Sequence, residues 1–348
     1  MNKVICFGMC DRNYVDPLKV ALYSFTLFNS DVELKVFLVD DSKEFFDSIF
    51  NYSNVEFINF GKNTKTYTYI NQHFDDFKTF QFAFTKTPTS ILNVTIANEV
   101  TDYMYEHYGK DYQVIMRLDF DVLFGNCITP SIDNFLASGK ILGGAGENVG
   151  FKQEGFRILK QENPICTDVY LNAGNFMYRT DKMYHDQFDR MCNLFETLGF
   201  ERFHLFDQDS VNLMYADDDK YDNTKDGYVI PNINCYIYHK LVTEGTAPIF
   251  FHYLTAHKPW ANNSLYKITL GNAVGFATLS VTFRFYRLVA KCAKCSQYFL
   301  ETIDKNIALQ ENIIQKYSTI DRDKCMTFRC LCNMAKLNFD KYGADLNA

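Results

Sequence analysis

The chain has 348 residues, of which 47% are hydrophobic and 22% charged; this composition supports a full buried core and excludes an extensively disordered chain. Its net charge of −7 excludes a general nucleic-acid binder, a role that depends on neutralising phosphates with Lys and Arg.

In chain order, Val4-Ile5-Cys6-Phe7 is a short apolar run bounded by Gly8 and by Asp11-Arg12-Asn13. The stretch from Val4 to Cys10 is too short for a secretory signal and lacks its small-residue cleavage site, so it reads as a first β-strand. Without export, the 11 cysteines are expected to stay reduced, most of them as small buried hydrophobes. A helix is predicted from about Val15 to Phe28, with Leu18, Leu22 and Phe25 on one face. Leu34–Val39 and Val55–Phe60 follow as buried strands. Strands separated by helical patterns indicate βαβ units, hence an α/β chain with a mixed, mostly parallel sheet flanked by helices. Ligands sit beyond the carboxyl ends of such strands, where Asp11, Asn13, Asp40 and Asp41 fall.

Residues 61–85 are polar and aromatic without clear periodicity. A helix over Leu92–Tyr108 then feeds a strand, Gln113–Leu118, and a further strand is expected at Ile141–Ala145 with a Gly-containing loop after it. Helices are predicted at Lys182–Leu198 and Gln208–Tyr215, and a strand at Ile249–His252. Ala216–Asp226 reads as a solvated loop. The longest uncharged run, Ile268–Phe283, has 16 residues, against the about 20 that a spanning helix needs. No Asp or Glu falls between Ala261 and Leu300. The segment Ala277–Leu300 is therefore expected to be a helix packed on the catalytic domain with a basic outer face; the same face suits a peripheral contact with anionic lipid.

The strongest chemical signal is Val114-Ile115-Met116-Arg117-Leu118-Asp119-Phe120-Asp121. An apolar strand runs into two carboxylates at i and i+2, and pleating would turn both to one side. Two such oxygens suit one hard divalent cation. Three further segments accompany it: Tyr170-Leu171-Asn172-Ala173-Gly174, Asp207-Gln208-Asp209-Ser210-Val211-Asn212, and His252 followed six residues later by Lys258-Pro259-Trp260.

Together with Cys10-Asp11-Arg12-Asn13-Tyr14, these motifs resemble, in order and over about residues 3–262, the retaining nucleotide-sugar glycosyltransferases of family 8. That group includes bacterial lipopolysaccharide galactosyl- and glucosyltransferases and is related to glycogenin. The resemblance implies a GT-A domain over 1–262, leaving 263–348 as a helical, partly basic C-terminal extension. The lack of an export signal implies a cytoplasmic enzyme, with residues 277–300 either packed on the catalytic domain or making a peripheral contact at the inner face of the membrane. Its Mn²⁺ (or Mg²⁺) centre would use Asp119, Asp121 and His252, and its donor substrate would be a UDP-sugar. Lys258 would contact the pyrophosphate, Asp11 and Asn13 the nucleoside, and Asn172 the sugar. Asp207 and Gln208 would face the donor hexose, with Gln208 near the anomeric carbon. The acceptor would be a glycan, a glycolipid or a protein, including the enzyme itself as in glycogenin. A non-catalytic sugar-nucleotide-binding protein is the alternative from another class.

The chain departs from the family pattern at three places. Thr255 stands where the family has Gly, Arg117 where it has a small or aromatic residue, and no Arg-bearing helix precedes the Asp-x-Asp strand, Lys86 being the nearest substitute. Cys292, Cys295, Cys325, Cys330 and Cys332 fit no standard zinc spacing. Gly143–Gly150 lacks the endings of a phosphate loop and reads as a flexible substrate-side loop.

Overall fold

The computed structural model describes residues 2–39, 41–61, 63–77, 91–92, 95–146, 169–203, 205–216, 218, 220–226, 229–230, 249–253, 258–261 and 273–315. These residues form two compact units. The strands in chain order are β1 (Asn2–Cys10), β2 (Glu33–Val39), β3 (Val55–Phe60), β4 (Tyr112–Arg117), β5 (Val122–Phe124), β6 (Leu142–Gly144), β7 (Met177–Arg179), β8 (Tyr221–Asp222), β9 (Val229–Ile230) and β10 (Phe250–His252).

The first unit comprises the described residues within Met1–Asn13, Asp31–Asp119 and Thr129–Asp226. Its seven-stranded sheet has the order β3-β2-β1-β4-β7-β6-β8. β1 pairs in parallel with both β2 and β4, and β2 with β3; β7 runs antiparallel to β4 and β6. The parallel strands are the ones visible as apolar runs, because a strand covered on both faces needs apolar residues on both. Ile5, Phe7, Phe37, Val100, Met104, Ile115, Phe195, Phe206 and Val211 share one buried cluster.

The helix predicted from Lys182 begins instead at Gln187 and runs to Leu198. Its start is set from a distance: Asp102, on the helix Ala97–Tyr108, accepts from the backbone N–H of Gln187 at 2.7 Å and of Phe188 at 2.9 Å, satisfying donors that every helix N-terminus leaves open. Similarly, the unpatterned segment 61–85 contains a helix, Lys65–Gln72. The Thr64 hydroxyl and the Glu99 carboxylate accept from its first N–H groups. Residues 78–90, with Lys86, lie outside the described residues.

The strand expected at Ile141–Ala145 is β6, residues 147–150 lie outside the described residues, and the acidic stretch expected as a solvated loop is ordered in part. Gly143 and Gly144 lie within β6, and a Cβ on Gly143 would stand 2.8 Å from the Met177 and Phe135 side chains, so close packing rather than flexibility requires glycine there. In the acidic stretch, Lys220 is buried and donates to the carbonyls of Asn212 and Val169, while Tyr221–Asp222 forms the sheet edge β8.

The second unit comprises the described residues within Tyr14–Ser30, Phe120–Ile128 and Gly227–Ala348. It holds the helix Val15–Phe28, the small sheet β5-β10-β9 and the helices Ala273–Cys292 and Gln297–Gln315. Val20, Leu123, Phe251, Tyr253, Phe283, Tyr286, Val289, Phe299 and Ile303 make its core. Asp16 accepts from the backbone N–H and hydroxyl of Ser296, which in turn caps the last helix through the Phe299 N–H. Arg284 pairs with Glu311 and Arg287 with Asp304. Two cations of the expected basic face are thereby neutralised within the hairpin. Among the described residues, no helix is long and apolar enough to cross a membrane.

Candidate active site

β4 ends at Arg117, and the chain bends at Phe120 and Asp121 before entering β5. The two carboxylates expected on one pleated strand are therefore brought close by a bend rather than by strand alternation. Asp121 is buried and Asp119 is partly exposed.

Within the second unit, antiparallel pairing of β5 with β10 sets His252 opposite Val122, and the Tyr253 N–H donates to the Asp121 carbonyl. That register puts His252 Nε2 3.0 Å from Asp121 Oδ1. Lys258 Nζ lies 2.7 Å from Asp121 Oδ2 and donates to the Tyr14 hydroxyl at 3.2 Å. The Tyr14 ring meets Trp260 edge-on. Burial works against the charge on Asp121, but Lys258 and His252 outweigh it and hold the carboxyl below the usual range. The carboxylate thus stays ionised in a buried place, as a cation ligand must. One ligand atom each from Asp119, Asp121 and His252 lies within 4.8 Å of the others. Two carboxylate oxygens and an imidazole nitrogen are a donor set that fits a divalent metal ion.

Within the first unit, the Tyr170–Gly174 turn and the helix Phe206–Met214 are joined by side chains of the two motifs. Asn212 Oδ1 accepts from the Leu171 N–H and its Nδ2 donates to the Leu171 carbonyl, both at 2.8 Å. Gln208 Oε1 accepts from the Ala173 N–H at 2.9 Å, and its Nε2 donates to the Tyr170 hydroxyl at 3.1 Å. That hydroxyl donates in turn to Asp209. Asn172 Oδ1 accepts from the Gly174 N–H. The Gly174 carbonyl receives the Asp119 N–H at 3.1 Å, and the Phe176 carbonyl the Arg117 N–H at 2.8 Å. Asn172, Gln208 and Asp119 are thereby held in one hydrogen-bonded assembly, which Asp207 joins by accepting from the Gln208 N–H at 2.9 Å.

Arg117 was visible in the sequence only as a departure from pattern. Here its buried guanidinium places Nη1 2.5 Å from Asp207 Oδ2 and Nη2 3.5 Å from Asp119 Oδ1. Burial opposes its charge, yet Asp207 and Asp119 more than offset that and raise its pKa. Asp207 is itself raised, by burial first and by Asp119, against the pull of Arg117. A cation beside two acids within an otherwise apolar strand was the available signal, because a buried charge must be paired. Tyr14 and Tyr170 were equally present in the quoted motifs but unassigned.

Asp11 and Asn13 lie just past β1, where Asp11 Oδ1 accepts from the Asn13 N–H at 2.9 Å. Asp41, past β2, accepts from Arg12 Nε on Oδ2 and from Nη2 on Oδ1, a bidentate pair. Asp40, Thr255 and His257 lie outside the described residues, as do Cys325, Cys330 and Cys332. Cys292 and Cys295 are free thiols, as are Cys6, Cys10, Cys127 and Cys192.

No family model matches the chain, and no curated protein matches it. Among solved structures, the galactosyltransferase LgtC in complex with donor and acceptor sugar analogues is 18% identical with a TM-score of 0.54, over 86% of this chain and 99% of that one. The glycosyltransferase GlyE of Streptococcus pneumoniae TIGR4 is 14% identical with a TM-score of 0.46, over 87% of this chain and 64% of that one. Mouse xyloside xylosyltransferase 1 is 15% identical with a TM-score of 0.40, over 62% of this chain and 82% of that one. The mixed, mostly parallel seven-stranded sheet flanked by helices, together with the likeness to LgtC, gives this chain the GT-A glycosyltransferase fold.

Proposed function

We propose that the chain is a retaining glycosyltransferase of the family 8 type. It transfers a hexose, galactose or glucose, from a UDP-sugar to a glycan or glycolipid acceptor of the lipopolysaccharide kind. The observation that carries this reading is the Asp119–Asp121–His252 group on a GT-A fold, with Lys258 on the same carboxylate. A divalent cation held by those three residues would act as a Lewis acid toward the leaving diphosphate.

The chain's own residues supply the rest. Lys258 Nζ, on Asp121 in this structure, turns its charge to the pyrophosphate of the bound donor. Asp11 and Asn13 bind the nucleoside, with Tyr14 following directly in the chain. Asn172, Asp207 and Gln208 border the hexose. Sugar transfer passes through an oxocarbenium-like state, which needs either a carboxylate nucleophile or attack from the leaving-group face. Both Asp207 oxygens are engaged, one by the Gln208 N–H and one by Arg117. Both Asp209 oxygens are engaged too, by the Tyr170 hydroxyl and the Leu205 N–H. That supports a front-face displacement in which the departing phosphate takes the acceptor's proton.

We assign this machinery to residues 1–262 and treat 263–348 as an extension. The six cysteines among the described residues are free thiols, compatible with a cytoplasmic site of action. A panel of nucleotide sugars screened by thermal unfolding with Mn²⁺ tests the reading, because a ligand at 100 times its Kd adds about 2.7 kcal/mol to folded-state stability. UDP-glucose or UDP-galactose should raise the midpoint in a Mn²⁺-dependent way. Stabilisation by none of the UDP-sugars would contradict it.

A further inference from the structure

We infer that Arg117 is a positioning residue for the donor hexose: it ties the acid facing the sugar, Asp207, to the strand end carrying Asp119. The inference rests on the donor reading given above. It starts from placement. Arg117 is the last residue of β4, its backbone N–H is fixed on the Phe176 carbonyl, and its side chain is 6% exposed. Such a guanidinium is costly to bury, and apolar residues of similar volume usually stabilise a core at least as well as an ion pair. Its Nε–H has no acceptor among the described residues.

What the arrangement achieves is geometric. Asp207 stands in the first turn of the helix Phe206–Met214. The Gln208 N–H holds one carboxylate oxygen at 2.9 Å and Arg117 holds the other. The same guanidinium lies beside Asp119 at the end of the sheet. One planar group thus fixes the orientation of Asp207 and its separation from Asp119. Lysine, a point charge on a flexible stem, cannot hold two carboxylates in that way. Arg117 makes no claim on the nucleotide contacts assigned to Asp11, Asn13 and Lys258, so its loss should affect the hexose step and spare UDP.

The full chain is compared as wild type, Arg117→Lys and Arg117→Met. Two quantities are measured with Mn²⁺: Kd for UDP, and kcat/KM for release of UDP from UDP-glucose and UDP-galactose. In Arg117→Lys, the Kd should stay within about twofold of wild type, while kcat/KM falls by about tenfold or more. Arg117→Met should lose more than Arg117→Lys at the same UDP affinity, the lysine recovering part of the loss. Unchanged kcat/KM in both variants would overturn the inference. So would a fall in UDP affinity by the same factor as kcat/KM, which marks a merely structural role. Should Arg117→Met fail to fold, Arg117→Lys alone decides between these outcomes. A wild-type chain that binds no UDP, or releases none, would instead bring down the donor reading and this inference with it.

Discussion

Asn212 shows how single side chains join the motif segments. Its amide meets both the N–H and the carbonyl of Leu171, and its Nδ2 also reaches the Gln208 carbonyl. Truncation to alanine strands a buried backbone donor and acceptor, each costing about 1–3 kcal/mol when unmatched. Asn212→Ala should therefore lower unfolding free energy by about 2–4 kcal/mol in urea titration; a loss below about 0.5 kcal/mol would show that the turn is held by other contacts. The acid pair of the proposed cation site stood out in the sequence as two carboxylates at a strand end, whereas a lone strand-terminal His carries no such signal and His252 entered only through the family resemblance of its motif. Their means of approach was not legible. Sequence spacing suggested a pleat, whereas the bend at Phe120–Asp121 and the pairing of His252 opposite Val122 do the work.

Among the elements, the helix Gln187–Leu198 depends on Asp102 for its N-terminal cap. Burial, opposed by the Phe188 and Gln187 N–H groups, lifts that carboxyl to about 6. A carboxyl held above its unfolded value of 3.8 binds its proton more tightly when folded. Its contribution to stability is therefore complete below about pH 4 and lost as pH rises through about 6. Asp102→Asn keeps an acceptor for the cap and removes the titration. It should flatten the dependence of the unfolding midpoint on pH between about 4 and 7, and stabilise the chain at pH 7 by about 2 kcal/mol. An unaltered pH profile would place the titration elsewhere. This long-range cap also explains why the start of the helix was misread: Asp181 stands locally as a cap-type residue before Lys182, but the residue at the N-cap, Asp186, makes no side-chain cap bond, and the acceptor sits some 80 residues earlier. Long parallel strands were readable from apolar runs, but β5 to β9 are two or three residues long, too short to show a period.

At the level of the molecule, the seven-stranded sheet order and the placement of charged residues past β1, β2 and β4 agree with what an α/β reading predicts for a ligand-binding sheet. The make-up of the second unit had no counterpart in composition. Its core joins Val20, Leu123 and Phe251 to Phe283 and Ile303, residues far apart in sequence that contribute only apolar faces. The central claim is that Asp119, Asp121 and His252 share one cation that a UDP-sugar engages. The most direct measurement is the rate of UDP release from UDP-glucose and UDP-galactose, with Mn²⁺ and with a chelator, for the wild type and Asp121→Asn. Release should require Mn²⁺ and fall by about 100-fold or more in Asp121→Asn, as loss of a charge-stabilising group at a reacting centre does. Release at the wild-type rate in the variant, or undiminished by chelation, would contradict it.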